Sequence, residues 1–350
     1  MVKLHSVADR YIVQLPKDVS LKDCGVESGP GQLSTSDKGR YVLNDLSDSQ
    51  QEAIAKAGGQ VFENRPMSIP EPITARKLDD RVSGITRQTV NTRATHGADQ
   101  LHARGIRGTG TDLVVIDSGM APHPDYEDRV EGFFDVFANA EVAPVDGRTG
   151  HGTHVAGIGG ADGTVRGMAP GAALLGIRVL DDSGRGSTAS VLSGLDQALK
   201  YFQERGRPMV VNMSLGGPAG PVESDPLHAK ISELKEAGIL VVAAAGNSGP
   251  RPGTISSPSN SEDAISVAAY DTKGTPQQDD DTVAPFSSRG TNSNDGTGQQ
   301  SKPDIGANGV EVVSTFLDDG FAALSGTSMA SPAVAGAAAL LLGRANDLFK

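Results

Sequence analysis

Apolar residues along this chain fall into short unbroken runs separated by longer stretches with helical spacing. "DLVVID" (112–117), "ALLGIRVL" (173–180), "MVVNM" (209–213), "ILVVAAAG" (239–246) and "AISVAAYD" (264–271) read as strands. Between and after them, "HGTHVAGIGG" (151–160), "STASVLSGLDQALKYFQERG" (187–206), "SDPLHAKISELKEAG" (224–238) and "LSGTSMASPAVAGAAALLLG" (324–343) read as helices. Near-continuous apolar strands alternating with helices predict an α/β fold: a doubly wound, mostly parallel sheet with helices on both faces. In such a sheet the ligand sits at the carboxyl ends of the strands. Polar residues just after an apolar strand are therefore the first candidates for chemistry.

The first 70 residues follow a different pattern. "RYIVQL" (10–15) predicts a strand. The stretch 47–59 begins with a capping serine, runs through good helix formers and stops at a glycine pair, which predicts a helix. "QVFENRPMSIP" (60–70) is strand-like. Residues 1–70 thus form a small α+β module. Residues 71–98 are polar, carry Arg76, Lys77, Arg81, Arg87 and Arg93, and read as a linker. Residues 99–350 form the main domain.

Composition narrows the partners. With Lys+Arg 31 against Asp+Glu 43, the net charge is −12 and no basic block occurs, which argues against nucleic acid or an anionic membrane as partner. The run Asp279–Asp280–Asp281 is either a solvated loop or a cation site. Cys24 is the single cysteine, so no internal disulfide forms, and its polar, glycine-rich setting does not suit a nucleophile. No unbroken apolar run of about 18 residues occurs, so no membrane span is expected. The N-terminus lacks an apolar leader core. Both the cytosol and secretion with a leader absent from this sequence stay open.

Four polar residues sit where chemistry is expected. Asp117 ends a buried strand, where a carboxylate must be paired or hydrogen-bonded; alone it is equally a turn aspartate. His151 lies between Gly150 and Gly152, with little bulk to shield its ring, and has His154 three residues on. Such a pair also brings a metal to mind, but zinc pairs on helices come as His-Glu-x-x-His and no Glu is present here. Asn247 ends a strand of small residues, as a left-handed turn residue or as an amide donor. Ser328 stands at a helix start, as a cap or as a nucleophile whose own N–H faces the reacting oxygen. Together the odds change: a serine hydroxyl needs a base, and the base needs an orienting carboxylate.

At this point "VVIDSG", "GHGTHVAG", "SLGG", "AAGNSG" and "GTSMASP", in this order, resemble the subtilisin-like serine proteases, or subtilases. The resemblance implies that Asp117 orients His151, that His151 is general base and then acid, and that Ser328 is acylated. Asn247 and the Ser328 N–H would form the oxyanion hole. Ser214, Leu215, Gly216 and Gly217 would pair with an extended polypeptide substrate and form one wall of the main specificity pocket, with Ala244, Ala245 and Gly246 as the other. These walls are small and uncharged, so a bulky apolar residue is expected there; the nearest carboxylates, Glu223 and Asp225, lie past the motif. Residues 1–70 look like a propeptide that chaperones and inhibits, with self-cleavage expected between Pro72 and Gln100. No cofactor is expected for the chemistry, and a monomer is expected. The family's tight calcium loop is shortened after His151, although Asp125 matches one of its ligands and Asp271 a weaker cation site. Relatives continue further beyond the nucleophile helix than this chain does. The alternative to an open protease is a self-inhibited protein, a narrow processing peptidase or a transpeptidase.

Overall fold

The computed structural model describes residues 10–27, 32–33, 39–70, 75–78, 95–291 and 301–348. The N-terminal unit is an antiparallel sheet of β1 (Tyr11–Leu15), β2 (Gln32–Leu33), β3 (Gly39–Leu43) and β4 (Gln60–Glu63), in the order β2-β3-β1-β4. Helix α1 (Asp48–Lys56) starts at Ser47, whose side chain accepts the Gln50 N–H while the Gln50 side chain accepts the Ser47 N–H. This reciprocal cap satisfies two otherwise orphaned donors. Along β1 the side chains alternate. Val13 and Leu15 join Leu21, Cys24 and Ile54 in the unit's own core. Ile12 points the other way, with Val42, into a cluster shared with the larger domain.

Two strands leave this unit: β5 (Pro66–Ser68) and β6 (Ala75–Leu78). The larger domain holds the parallel neighbours β7 (Asp112–Asp117), β8 (Val130–Asp135), β10 (Ala173–Arg178), β12 (Met209–Met213), β13 (Leu240–Ala244) and β14 (Ile265–Asp271). With the short antiparallel edges β9 (Ala140–Glu141) and β15 (Thr282–Val283), the order is β15-β14-β13-β12-β7-β10-β8-β9, and β16 (Ile305–Asn308) pairs with β14. Outside this sheet are β11 (Arg185–Ser187), β17 (Val312–Thr315) and β18 (Phe321–Leu324). β5 pairs with β11, and β6 pairs with β18. The stretch expected as a linker therefore contributes a strand to the main body at 75–78.

Helices α2 (Ala98–Ala103), α3 (His151–Gly160), α4 (Thr188–Arg205), α5 (Pro226–Ala237) and α6 (Thr327–Leu348) complete the described α-helices. The central strand explains why the sheet is covered twice. Leu113 and Val115 join a core with Val155 of α3 and Met329 and Ala333 of α6. Val114 and Ile116 join the opposite core with Leu192 and Leu195 of α4 and Ile231 and Leu234 of α5. Each such side chain contributes about 1.5–3 kcal/mol on burial, which ties register and handedness to the apolar run. Residues 327–345 of α6 are long and apolar enough to span a membrane by length and composition, which the expectation from unbroken runs overlooked. In this fold 61% of that stretch is buried, and its small side chains pack onto the sheet.

The chain crosses the sheet in two directions from β7: to β10 and β8 on one side, to β12, β13 and β14 on the other. The carboxyl ends of β7, β12 and β13 therefore border the switch point where a crevice forms.

Candidate active site

Asp117 closes β7 and is fully buried. Its Oδ1 accepts the Ser118 N–H at 2.7 Å and a hydrogen bond from His151 Nδ1 at 2.7 Å. A carboxylate can only accept, so the ring carries its proton on Nδ1, leaving the Nε2 lone pair as a base. Nε2 has no hydrogen-bond partner among the described residues. His151 is the first residue of α3, as its position between glycines predicts. The glycines do not expose it, however, because the ring is buried. Gly152 instead permits close approach: a Cβ there would lie 1.9 Å from the Gly119 carbonyl oxygen. His154, facing the packed side as expected, has its Nε2 2.9 Å from the Ala322 carbonyl, and burial lowers its pKa to about 3.

A second buried carboxylate, Asp146, escaped sequence reading. Its Oδ2 accepts the N–H and hydroxyl of Thr153, each at 2.8 Å, and its Oδ1 accepts the Ser118 hydroxyl at 2.8 Å. It ties the first turn of α3 to the turn after β7, the two segments that must register for Asp117 to meet His151. Burial pushes its carboxyl above the usual range. The one sequence signal was its place five residues before His151 in "VDGRTGH".

Ser328 is the second residue of α6 and is buried. Its hydroxyl donates to the Ser214 carbonyl at 3.2 Å. Pro332, one turn on, has no N–H for the Ser328 carbonyl. The Ser214 hydroxyl supplies the missing donor at 2.9 Å, and is itself within 3.0 Å of Asn212 Nδ2. Asn212 Oδ1 also accepts the Ser331 hydroxyl at 2.7 Å. The proline thus frees a carbonyl through which β12 grips the start of α6. Asn247 follows β13, and its Oδ1 accepts the N–H and hydroxyl of Thr327 at 3.0 and 2.9 Å. That fixes which end of the amide is nitrogen. A Cβ built on Gly326 would lie 3.1 Å from Asn247 Nδ2 and 3.7 Å from the Ser328 nitrogen, so the two donors converge beside Gly326.

At the edge expected to pair with substrate, Gly216 is paired with the chain itself. Ser68 and Gly216 exchange two backbone hydrogen bonds of 2.9 Å, and the Ile69 N–H donates to the Gly184 carbonyl. Pro70 then borders a cavity of about 390 Å³ together with Gly216, Gly217, Gly246 and Asn247. Its remaining wall, Gly253 to Ser256, was not read from the sequence. Ser214, Leu215, Ala244 and Ala245, also expected there, are buried and are not on its lining.

Both expected cation ligands are engaged by the protein itself. The shortened loop folds back on Asp125, whose Oδ2 accepts the Val165 N–H at 2.7 Å. Asp271 is paired with Lys273 Nζ at 2.5 Å and also accepts the Lys273 N–H. Among the described residues no group of three or more His, Cys, Asp or Glu side chains is placed to hold a metal ion. Asp279 and Asp280 are exposed, as in a solvated loop. Cys24 is buried in the N-terminal unit's core.

A model described as the subtilase family matches residues 108–349. Serine protease AprX of Bacillus subtilis (strain 168) is 39% identical over 282 residues, covering 73% of this chain, which spans 62% of that protein's length. Subtilisin DY of Bacillus licheniformis is 38% identical over 253 residues, 71% of this chain and 82% of its own. Among solved structures, S41 Psychrophilic Protease aligns with a TM-score of 0.62 and 36% identity over 68% of this chain and 79% of that one. Sphericase aligns with a TM-score of 0.59 and 34% identity over 68% and 82%. With the family model spanning most of the sequence, the chain belongs to the subtilase family.

Proposed function

We propose that this chain is a serine endopeptidase made as a self-processing precursor. The observation that carries the reading is the buried Asp117–His151 hydrogen bond at the carboxyl end of β7, with Ser328 hydrogen-bonded to Ser214 just after the neighbouring β12 and Asn247 just after β13. An extended polypeptide pairs with Gly216 and presents its carbonyl carbon to Ser328 Oγ. As Oγ attacks, His151 Nε2 takes its proton. The new oxyanion accepts hydrogen bonds from the Ser328 N–H and Asn247 Nδ2. His151 then gives the proton to the leaving amine, and the peptide bond breaks to an acyl-enzyme. Water attacks next, with His151 again as base, and the acid product leaves. No cofactor takes part in these steps. The cavity beyond Gly216 and Gly246 is lined without charge, which favours a bulky apolar residue.

The N-terminal unit is read as an intramolecular inhibitor. Ser68, Ile69 and Pro70 run along the cleft as a substrate would, which supports a processing cut between Pro70 and Glu71, just before the expected stretch from Pro72 to Gln100. Its partners are thus polypeptides and its own N-terminal unit, and it acts as a monomer without nucleic acid or membrane. Purified full chain should convert to a form beginning at Glu71, seen by mass spectrometry, while Ser328→Ala stays whole. Conversion of Ser328→Ala at the wild-type rate would sink the self-processing reading. Products joined to an added amine would favour a transpeptidase.

A further inference from the structure

The chain's own segment occupies the larger domain further from the reacting centre than Ser68. Counting back from Pro70, Arg65 is the sixth residue. Its backbone is fixed at the start of α4: the Thr188 N–H donates to the Arg65 carbonyl at 2.9 Å, and the Arg65 N–H donates to Thr188 Oγ1 at 3.2 Å. Its guanidinium leaves the N-terminal unit and enters a niche of the larger domain. Nη1 donates to the Pro218 carbonyl at 3.0 Å, and Nη2 lies 2.8 Å from Asp225 Oδ2. Gly220 leaves room for it, since a Cβ there would be 2.8 Å from Nη1.

The Asp225 side chain is fully covered and that of Arg65 is 11% exposed. Asp225 Oδ1 caps α5 through the Leu227 N–H at 3.0 Å, and Oδ2 accepts the Ser257 hydroxyl at 2.7 Å. The other basic side chain within 4 Å among the described residues is His228, 3.9 Å away, whose Nε2 is 3.0 Å from Asn260 Oδ1. Arg65 is therefore the close counter-ion of a buried carboxylate. When the N-terminal unit departs, the niche keeps a negative charge and a carbonyl that have lost their donor, which is costly until another cation arrives.

We infer that Asp225, with the Pro218 carbonyl, is a specificity-determining subsite that selects a basic residue six positions before the cleaved bond. This rests on the reading that residues 65–70 lie in the cleft as a substrate does. The sequence marks Asp225 only as a carboxylate beyond the "SLGG" motif, too far to serve the main pocket. Its place in the fold makes it serve a remote position instead.

The full chain is expressed and allowed to process itself. Its hydrolysis of casein is then inhibited with the synthetic peptide NRPMSIP, corresponding to residues 64–70, and with the same peptide carrying Arg65→Ala or Arg65→Glu. Loss of a charge-assisted hydrogen-bonded pair should weaken inhibition about 10- to 100-fold for Arg65→Ala, and further for Arg65→Glu. This ratio needs no enzyme variant. In Asp225→Asn enzyme the Arg/Ala ratio should collapse towards one, the signature of direct coupling. Equal inhibition by all three peptides, no inhibition by any, or a ratio that persists in Asp225→Asn would overturn the subsite while casein hydrolysis still stood. Absence of casein hydrolysis would overturn the protease reading and the subsite with it.

Discussion

The reactivity proposed for Ser328 depends on what its neighbours cannot do. The Ser328 carbonyl cannot find its usual helical donor because residue 332 is proline, so Ser214 fills the gap. Asn247 cannot turn its amide round, because Thr327 holds Oδ1 with two donors. Asn247→Ala removes the donor nitrogen together with the Oδ1 that holds Thr327. In subtilisin itself the known loss from removing such a donor is about 10²–10³ in kcat, and a loss of that size with little change in KM is expected for Asn247→Ala. Steady-state kinetics on a short peptide substrate checks it. A fall in binding with kcat intact would move Asn247 out of the oxyanion hole. At this scale Asp117, His151, Asn247 and Ser328 were legible because each stands where an apolar run stops or a small-residue helix begins. Thr327 and Asp146 were not, since their importance lies in contacts that no spacing rule announces. The wall from Gly253 to Ser256 was hidden for a related reason: it reaches the pocket through a loop, not through a periodic element.

Among the elements, α3 does two jobs that conflict electrostatically. Its first residue, His151, is proposed as the base, while His154, one turn later, is fully buried against β17 and β18. Burial lowers the His154 pKa from 6.5 to about 3. The sign follows from proton counting: below pH 6.5 the unfolded chain takes up a proton that the folded chain refuses. This site therefore contributes its full stability above pH 6.5 and loses it progressively as pH falls towards about 3, at roughly 1.4 kcal/mol per pH unit. Urea unfolding of the Ser328→Ala chain between pH 7 and pH 4.5 should show the loss, and His154→Gln should flatten it. Acidic side chains lose stability in the same window, so the difference between the two chains is the informative quantity. Identical pH slopes would mean that His154 is not the group taking up the proton. The helix and both its histidines were readable from sequence. The burial that holds His154 neutral was not, because that depends on β17 and β18 closing over it.

At the scale of the molecule, the sequence separates two compositional units, but it does not say how they meet. β5 and β6 find partners in β11 and β18, far along the chain, and alternation within such short strands carries no information about which edge they join. The meeting is both apolar and ionic. Ile12, Val42 and Met67 share a core with α4 and α5. Beside them Arg40 Nη1 lies 2.5 Å from Asp196 Oδ2, and Lys230 Nζ lies 2.7 Å from Asp196 Oδ1, all three nearly enclosed. The apolar contact provides area, whereas the triad penalises any wrong placement, because a buried charge without its partner costs about 3–5 kcal/mol. Arg40→Glu would add a third carboxylate, beside Asp196 and Glu233, around the one lysine at the junction. In the Ser328→Ala chain, where no cut complicates the result, this change should make the Ser68 and Ile69 amides exchange with deuterium on the order of 100-fold faster, as the N-terminal unit lifts from the cleft more often. Amides within β7 and β12 belong to the core of the larger domain and should keep their protection. If β5 exchanged as slowly as before, the apolar face alone would hold the unit in place, and the buried triad would set where it docks rather than how tightly.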